Sequence, residues 1–250
     1  MGFWPVVKKV VKESDVVLII LDARMPGLSR NKEVKRLIRR YKREKIIVFN
    51  KIDLVSNSFL NKLRKEYEDA YFVSGIKNKG ISKLRRGLQI LRKRLKLNKL
   101  RVGLVGYPNV GKSAIINALA RRGSAKVSRI AGTTRGIQFI RVGDILILDS
   151  PGVVPYSDSE LTLGILGAKN PEKLKKPYKI VIEILNVILR WDKKSLEDFY
   201  KVKLPEDISA DKALEEIAKQ KGYLKKGGLI DEDRVILKII RDWQSGKLKA

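Results

Sequence analysis

Two short segments carry residue types at spacings suited to a definite chemistry: Gly106-Tyr107-Pro108-Asn109-Val110-Gly111-Lys112-Ser113 and Asn50-Lys51-Ile52-Asp53. The first has the GxxxxGKS pattern and follows the apolar run Val102-Gly103-Leu104-Val105. Glycines at 106 and 111 let backbone N–H groups wrap a phosphate without a Cβ in the way. On this pattern Asn109, Val110, Gly111, Lys112 and Ser113 bind phosphate, with Lys112 reaching the β and γ groups and the Ser113 hydroxyl on magnesium. The helix that starts there adds a dipole favourable to an anion.

The second segment is suited to reading a guanine base. A carboxylate such as Asp53 accepts hydrogen bonds from guanine N1 and N2, which adenine cannot donate, so ATP would leave a buried acceptor unpaired. Asn50 joins it in base specificity, and Lys51 is expected along the base plane. Ser74-Gly75-Ile76-Lys77, after the next strand, would add a backbone contact to the guanine oxygen. Asp149-Ser150-Pro151-Gly152 ends another apolar strand, so Asp149 is expected to hold the metal through water and the Gly152 N–H to sense the γ-phosphate. Thr133 and Thr134 are both candidates for a second hydroxyl ligand to magnesium.

The base-reading segment precedes the phosphate loop, the reverse of the order in ordinary GTPases. The predicted fold is therefore α/β: a circularly permuted P-loop GTPase domain over residues 1–156, with a mostly parallel sheet and helices on both faces, then a small all-α domain over 157–250. Val16 to Leu21 and Ile46 to Phe49 are apolar runs of the parallel-sheet kind. Between them Asn31 to Arg43 reads as a helix with Val34, Leu37, Ile38 and Tyr41 on one face and cations around the rest. A second basic helix from about Ser82 to Leu97 would bury Leu84, Leu88, Leu91 and Leu95. Lys96 to Arg101 is the expected joint between the former termini, which lie close together in compact domains. The C-terminal helices are expected at Tyr178 to Trp191, Ser195 to Tyr200, Ala210 to Lys221 and Asp231 to Ser245, with Asp231 as an N-cap and Gly246 as a stop. Trp191 and Trp243 read as helix-core anchors.

Of the +28 net charge, residues 1–100 hold most, with 27 Lys and Arg against 9 Asp and Glu, whereas 151–250 have 20 against 16. Such a field favours polyanions, either nucleic acid or an anionic membrane face, and also keeps a protein soluble; for a cytosolic chain without a membrane anchor, nucleic acid is the preferred reading. The absence of cysteine removes disulfides and thiolate metal sites, and the absence of histidine removes the commonest acid/base at neutral pH. The longest apolar runs are too short for a membrane span, and the start lacks a secretory leader's pattern, so a cytoplasmic protein without membrane partner is expected. Abundant Lys and Arg with scarce Met and Gln point to a thermophile.

These motifs, together with Asp22-Ala23-Arg24-Met25-Pro26, Ser29-Arg30-Asn31, the GTTRG of 132–136 and the tail from Gly227-Gly228-Leu229-Ile230-Asp231 through Arg241-Asp242 to Gly246-Lys247, resemble the YlqF/RbgA family of circularly permuted ribosome-assembly GTPases over nearly the whole chain. The resemblance implies GTP binding and hydrolysis, a precursor of the large ribosomal subunit with its rRNA as partner, and a C-terminal helical domain over 157–250 that helps dock on that RNA; with the motifs it makes GTP/GDP and Mg2+ the expected cofactors, and a monomer is the default expectation. It also implies an apolar residue, Val153, where other GTPases place a water-orienting glutamine, so unaided turnover should be slow. A histidine near the N-terminus, which the family uses in one proposed mechanism, has no counterpart in this chain. Asn109 resembles the asparagine of potassium-activated GTPases, which makes K+ a candidate activator. Arg24, Arg30 and Asn31 read either as surface polar residues after a strand or as a loop near the phosphates or a partner. The competing function is a GTP-dependent adaptor with a protein partner and little hydrolysis.

Overall fold

The computed structural model describes residues 4–121, 128–130, 138–152, 154–155 and 158–250. The chain forms two compact units, one of Met1–Asp53 with Arg64–Tyr156 and one of Leu54–Leu63 with Ser157–Ala250.

The first unit is built on a seven-stranded sheet of order β3-β2-β1-β4-β7-β6-β5. Its strands are β1 (Val16–Asp22), β2 (Glu44–Asn50), β3 (Tyr71–Phe72), β4 (Leu100–Val105), β5 (Ser128–Ile130), β6 (Gln138–Val142) and β7 (Ile145–Asp149). Every residue of β1 is buried, which explains why it is continuously apolar rather than alternating: both of its faces are covered. β1, β2, β3, β4 and β7 run parallel, and β6 pairs antiparallel with β7 and β5. Register decides where the chemistry emerges. Asp22 lies beside Asn50 across β1 and β2, Ile19 beside Val105 across β1 and β4, and Leu104 beside Asp149 across β4 and β7. The polar residues that end these strands and the loop from Gly106 therefore leave the same edge of the sheet, as expected for a ligand site in a parallel α/β sheet.

Helices α1 (Trp4–Glu13), α2 (Lys32–Arg40), α4 (Ile81–Arg94) and α5 (Lys112–Arg121) cover the sheet, α1 packing with α2 and α4 with α5. Asn31 caps α2 by accepting from the Val34 amide at 3.0 Å. Both basic helices stop earlier than their apolar spacing suggests, because Lys42 (φ 49°) and Lys96 (φ 54°) take left-handed conformations. In α4 the buried stripe is consequently Ile81, Leu84, Leu88 and Leu91, with Leu95 a half-buried cap in place of the expected core residue.

The second unit contains α6 (Glu160–Ile165), α7 (Pro177–Tyr200), α8 (Ala210–Gln220) and α9 (Glu232–Gln244). Two helices were expected across α7, and the run divides where they were expected to part: Asp192 is non-helical (φ −154°, ψ 55°), and its carboxylate accepts from the Ser195 amide to cap the second helix. Trp243 is fully buried and donates its indole N–H to the Ile165 carbonyl at 2.9 Å. Trp191 is only half-buried, contrary to a core anchor: its ring stacks on Phe59 at 4.6 Å and carries Lys62 and Arg190 over it. Phe59 belongs to α3 (Asn57–Glu66), and the segment before α3 joins this unit through a backbone pair, Ala250 N–H to Leu54 O at 2.9 Å and Ser56 N–H to Ala250 O.

Candidate nucleotide-binding site

Asn50, 2% exposed at the end of β2, ties three loops together. Its amide nitrogen donates to the carbonyls of Val110 (2.8 Å) and Gly111 (3.4 Å), and its amide oxygen accepts from the Gly75 N–H at 3.0 Å. Both ends of the side chain are therefore engaged in holding the neighbouring loops in register. Gly111, at φ +90°, leaves room for this: a Cβ there would lie 2.2 Å from the Asn50 amide nitrogen. Asp53 sits half-buried in a 3-10 turn, Ile52–Leu54, that directly follows. Ser74 is fully buried and its hydroxyl accepts from the Lys77 N–H at 3.0 Å, which shapes the turn presenting Gly75.

Lys51, in a left-handed conformation (φ 66°), directs its ammonium to Asp22 Oδ2 at 2.7 Å. The four-carbon stem is thus the part of Lys51 that can lie along a base. Asp22 also receives Arg24 in a two-point pair, Nε to Oδ1 at 3.1 Å and Nη2 to Oδ2 at 2.9 Å. Burial by itself would raise the Asp22 carboxyl, but the charges of Arg24 and Lys51 override it and hold the group well below the usual carboxylate range. Burial pulls the Lys51 ammonium down, with Asp22 opposing. Arg24 is 2% exposed, so the surface reading of it is overturned: the fully desolvated Asp22 carboxylate requires a bidentate partner. This buried set was missed as a unit. The visible signal was an acid ending an apolar strand two residues before an arginine.

In the phosphate loop Asn109 is left-handed at φ 61°. The Lys112 ammonium donates to the carbonyls of Gly106 (3.3 Å) and Tyr107 (3.0 Å), and burial lowers its proton affinity while Asp149 opposes. Ser113 is exposed in the first turn of α5. Asp149 has its Oδ1 buried without a hydrogen-bond partner among the described residues, and burial raises its carboxyl against the pull of Lys112 and the Ser150 amide. A carboxylate oxygen buried without a partner at the end of β7 suits a hard cation such as Mg2+. No cluster of three His, Cys, Asp or Glu side chains occurs among the described residues, so phosphate oxygens and water would have to complete the shell. The Ser150 hydroxyl donates to the Leu104 carbonyl at 2.7 Å, and a Cβ on Gly152 would meet the Pro108 backbone at 2.6 Å, so the turn after β7 packs on the phosphate loop. Thr133, Thr134 and Val153 lie outside the described residues.

Arg30 and Asn31 stand apart from this set. The Arg30 guanidinium lies 4.8 Å over the Tyr67 ring, and Asn31 caps α2.

Comparison with known proteins gives a family model described as 50S ribosome-binding GTPase over residues 101–226 and one described as RsgA GTPase over 5–157. The chain is 36% identical to an uncharacterized GTP-binding protein of Methanocaldococcus jannaschii, over 97% of this chain and 65% of the relative. It is 35% identical to nucleolar GTP-binding protein 2 of Pneumocystis carinii, over 98% of this chain and 52% of that protein, so it spans about half to two-thirds of the length of these relatives. Solved structures of YlqF share the fold: a GDP-bound form at TM-score 0.63 and 23% identity, covering 96% of this chain and 94% of that one, and a GNP-bound form from T. maritima at TM-score 0.57 and 22% identity, covering 98% and 94%.

Proposed function

We propose that this chain, which belongs to the family described as 50S ribosome-binding GTPase and shares the YlqF fold, binds and slowly hydrolyses GTP and acts on a precursor of the large ribosomal subunit by contacting its rRNA. The observation that carries the nucleotide part is the Asn50 side chain, which joins the base-reading segment, the phosphate loop and the Gly75 turn within one hydrogen-bonded set. In this reading Asp53 accepts from guanine, Gly75 donates to the base, and Asn109, Val110, Gly111, Lys112 and Ser113 grip the phosphates. Ser113 and Asp149, with Thr133 or Thr134, would hold Mg2+, which when bound would neutralise charge on the phosphates. Asn109 is the residue through which K+ would act. Gly152, packed on the phosphate loop, reports the γ-phosphate to the chain that follows.

The ribosomal part is supported by the family descriptions and by the concentration of positive charge in residues 1–100, where 27 basic residues face 9 acidic ones. Without a histidine, and with valine at 153, the chain supplies no obvious group to orient the attacking water, so the partner completes the reaction. Among the described residues no helix is long and apolar enough to cross a membrane. We assign the protein as a monomer acting in the cytoplasm.

The test is GTP hydrolysis measured with and without large subunits from a matching source, in potassium or sodium, with ATP as control. Strong stimulation by the subunit, selective for GTP, supports the proposal. Tight GTP binding with neither stimulation nor salt-sensitive subunit association would replace it with the protein-adaptor reading.

A further inference from the structure

Beside the loop that follows β1, Ile19, Leu21 and Ile47 form the apolar floor of a pocket of about 420 Å3 in the first unit, within the range of about 300–1,000 Å3 usual for small-ligand sites. Tyr67 and Arg30 line it with planar groups, the guanidinium donating to the tyrosine hydroxyl and lying over its ring. Phe49 braces Tyr67 from within the core, with ring centroids 4.9 Å apart. Asn31 also lines the pocket: it is 7% exposed, its oxygen is committed to the Val34 amide, and its amide nitrogen has no partner among the described residues. None of these residues belongs to the set that joins the phosphate and guanine loops.

The pocket opens beside a row of cations. Lys32 and Lys35 line it, and Arg36, Arg39 and Arg40 continue the row along α2 at i+4, i+7 and i+8 from Lys32, the spacing of one helix face. All are exposed, and no ion pair holds any of them among the described residues. At a rise of about 1.5 Å per residue the row runs about 12 Å, longer than one phosphate step of a nucleic-acid strand. In the second unit, by contrast, Lys169, Lys219 and Arg241 each face a glutamate.

We infer that the pocket receives one unstacked base of single-stranded RNA while the adjoining phosphates follow the cations of α2. This rests on the reading of RNA as the partner and names where a strand engages. Base faces stack on tyrosine and on guanidinium planes, and the free Asn31 amide offers a donor to a base edge. A free mononucleotide would need only Lys32 and Lys35, and leaves the rest of the row without a role, which commits the site to a strand.

The experiment uses the full chain and a fluorescent single-stranded RNA of about 12 nucleotides, within the span such sites cover, read by anisotropy, with one position at a time made abasic. In the wild type the abasic position that meets the pocket should weaken binding about tenfold. Arg30→Ala and Tyr67→Leu should each weaken the intact RNA by a similar factor and lose the abasic penalty, while keeping wild-type GDP affinity, which shows them folded. Equal abasic penalties in wild type and variants would overturn the pocket and leave RNA binding standing. If the wild type binds no RNA, the RNA reading falls and this inference with it. Displacement of the strand by millimolar mononucleotide would overturn the strand as occupant. Displacement by polyglutamate, with no abasic penalty, would replace it with an acidic protein segment.

Discussion

Replacing Asn50 by alanine removes the donor shared by Val110 and Gly111 and the acceptor of the Gly75 N–H, leaving buried backbone groups unpaired. Asn50→Ala should weaken GDP and GTP alike by about 10- to 100-fold, since buried hydrogen bonds cost about 1–3 kcal/mol when half is lost; fluorescent-nucleotide titration reads this. Asp22→Asn should act through stability instead. It strands Arg24 and Lys51, and breaking a buried pair costs about 3–5 kcal/mol, measurable by denaturant unfolding. Because the folded Asp22 carboxyl is held below its unfolded value, its stabilisation is complete above about pH 4, the ordinary carboxylate value, and is lost only as pH falls toward the folded one. Asp149 has the opposite sign: burial raises it, so it takes up a proton earlier on acidification than an ordinary carboxylate. Magnesium-dependent GTP affinity should therefore be lost on acidification at a higher pH than an ordinary carboxylate would give, and the Asp149→Asn variant, already weak, should show a flat profile through that loss. The aspartates and the asparagine were each legible as residue types. Their partners were not, because the hydrogen bonds from Asn50 to Val110 and Gly111 span 60 and 61 positions of the chain.

Among the elements, the turn after β7 and the bend in α7 make separable predictions. Gly152→Ala would put a methyl carbon 2.6 Å from the Pro108 backbone, closer than any relaxed contact allows. Hydrolysis should then fall at least about tenfold with GDP binding less affected, because the clash lies on the γ-phosphate side of the proposed site; a matched loss of both would argue instead for a collapsed phosphate loop. Asp192→Ala removes the cap that restarts α7 at Ser195 and should cost about 1 kcal/mol, or about 2–4 °C in Tm. The strands of the first unit were readable because a buried parallel strand is apolar throughout, as in Val16 to Leu21. Helix ends were less so. Lys42 and Lys96 stop α2 and α4 from left-handed conformations that no residue-type preference announces.

At the scale of the molecule, the positive charge is unevenly paired. The second unit ties lysines and arginines to glutamates, whereas the cations of α2 have no acidic partner among the described residues. Binding to a single-stranded rRNA segment should accordingly fall about 100-fold between 50 and 200 mM salt if about five phosphates are neutralised, and Lys35→Ala with Arg39→Ala should flatten that slope. Equal slopes for wild type and double variant would place the RNA on another surface.

The sequence by itself determined the fold class, the permuted order of the nucleotide motifs and the identity of the groups at the candidate site, because glycine, lysine and carboxylate at fixed local spacing carry their chemistry within a few bonds. Tertiary structure alone decided that Lys51 answers to Asp22, that Arg24 is buried, that Asn50 spans the loops, and that Leu54–Leu63 packs with the second unit. Each of these depends on which distant strand ends lie side by side once the sheet has closed. Register across a parallel sheet is set by the packing of both of its faces, which no local stretch of sequence contains.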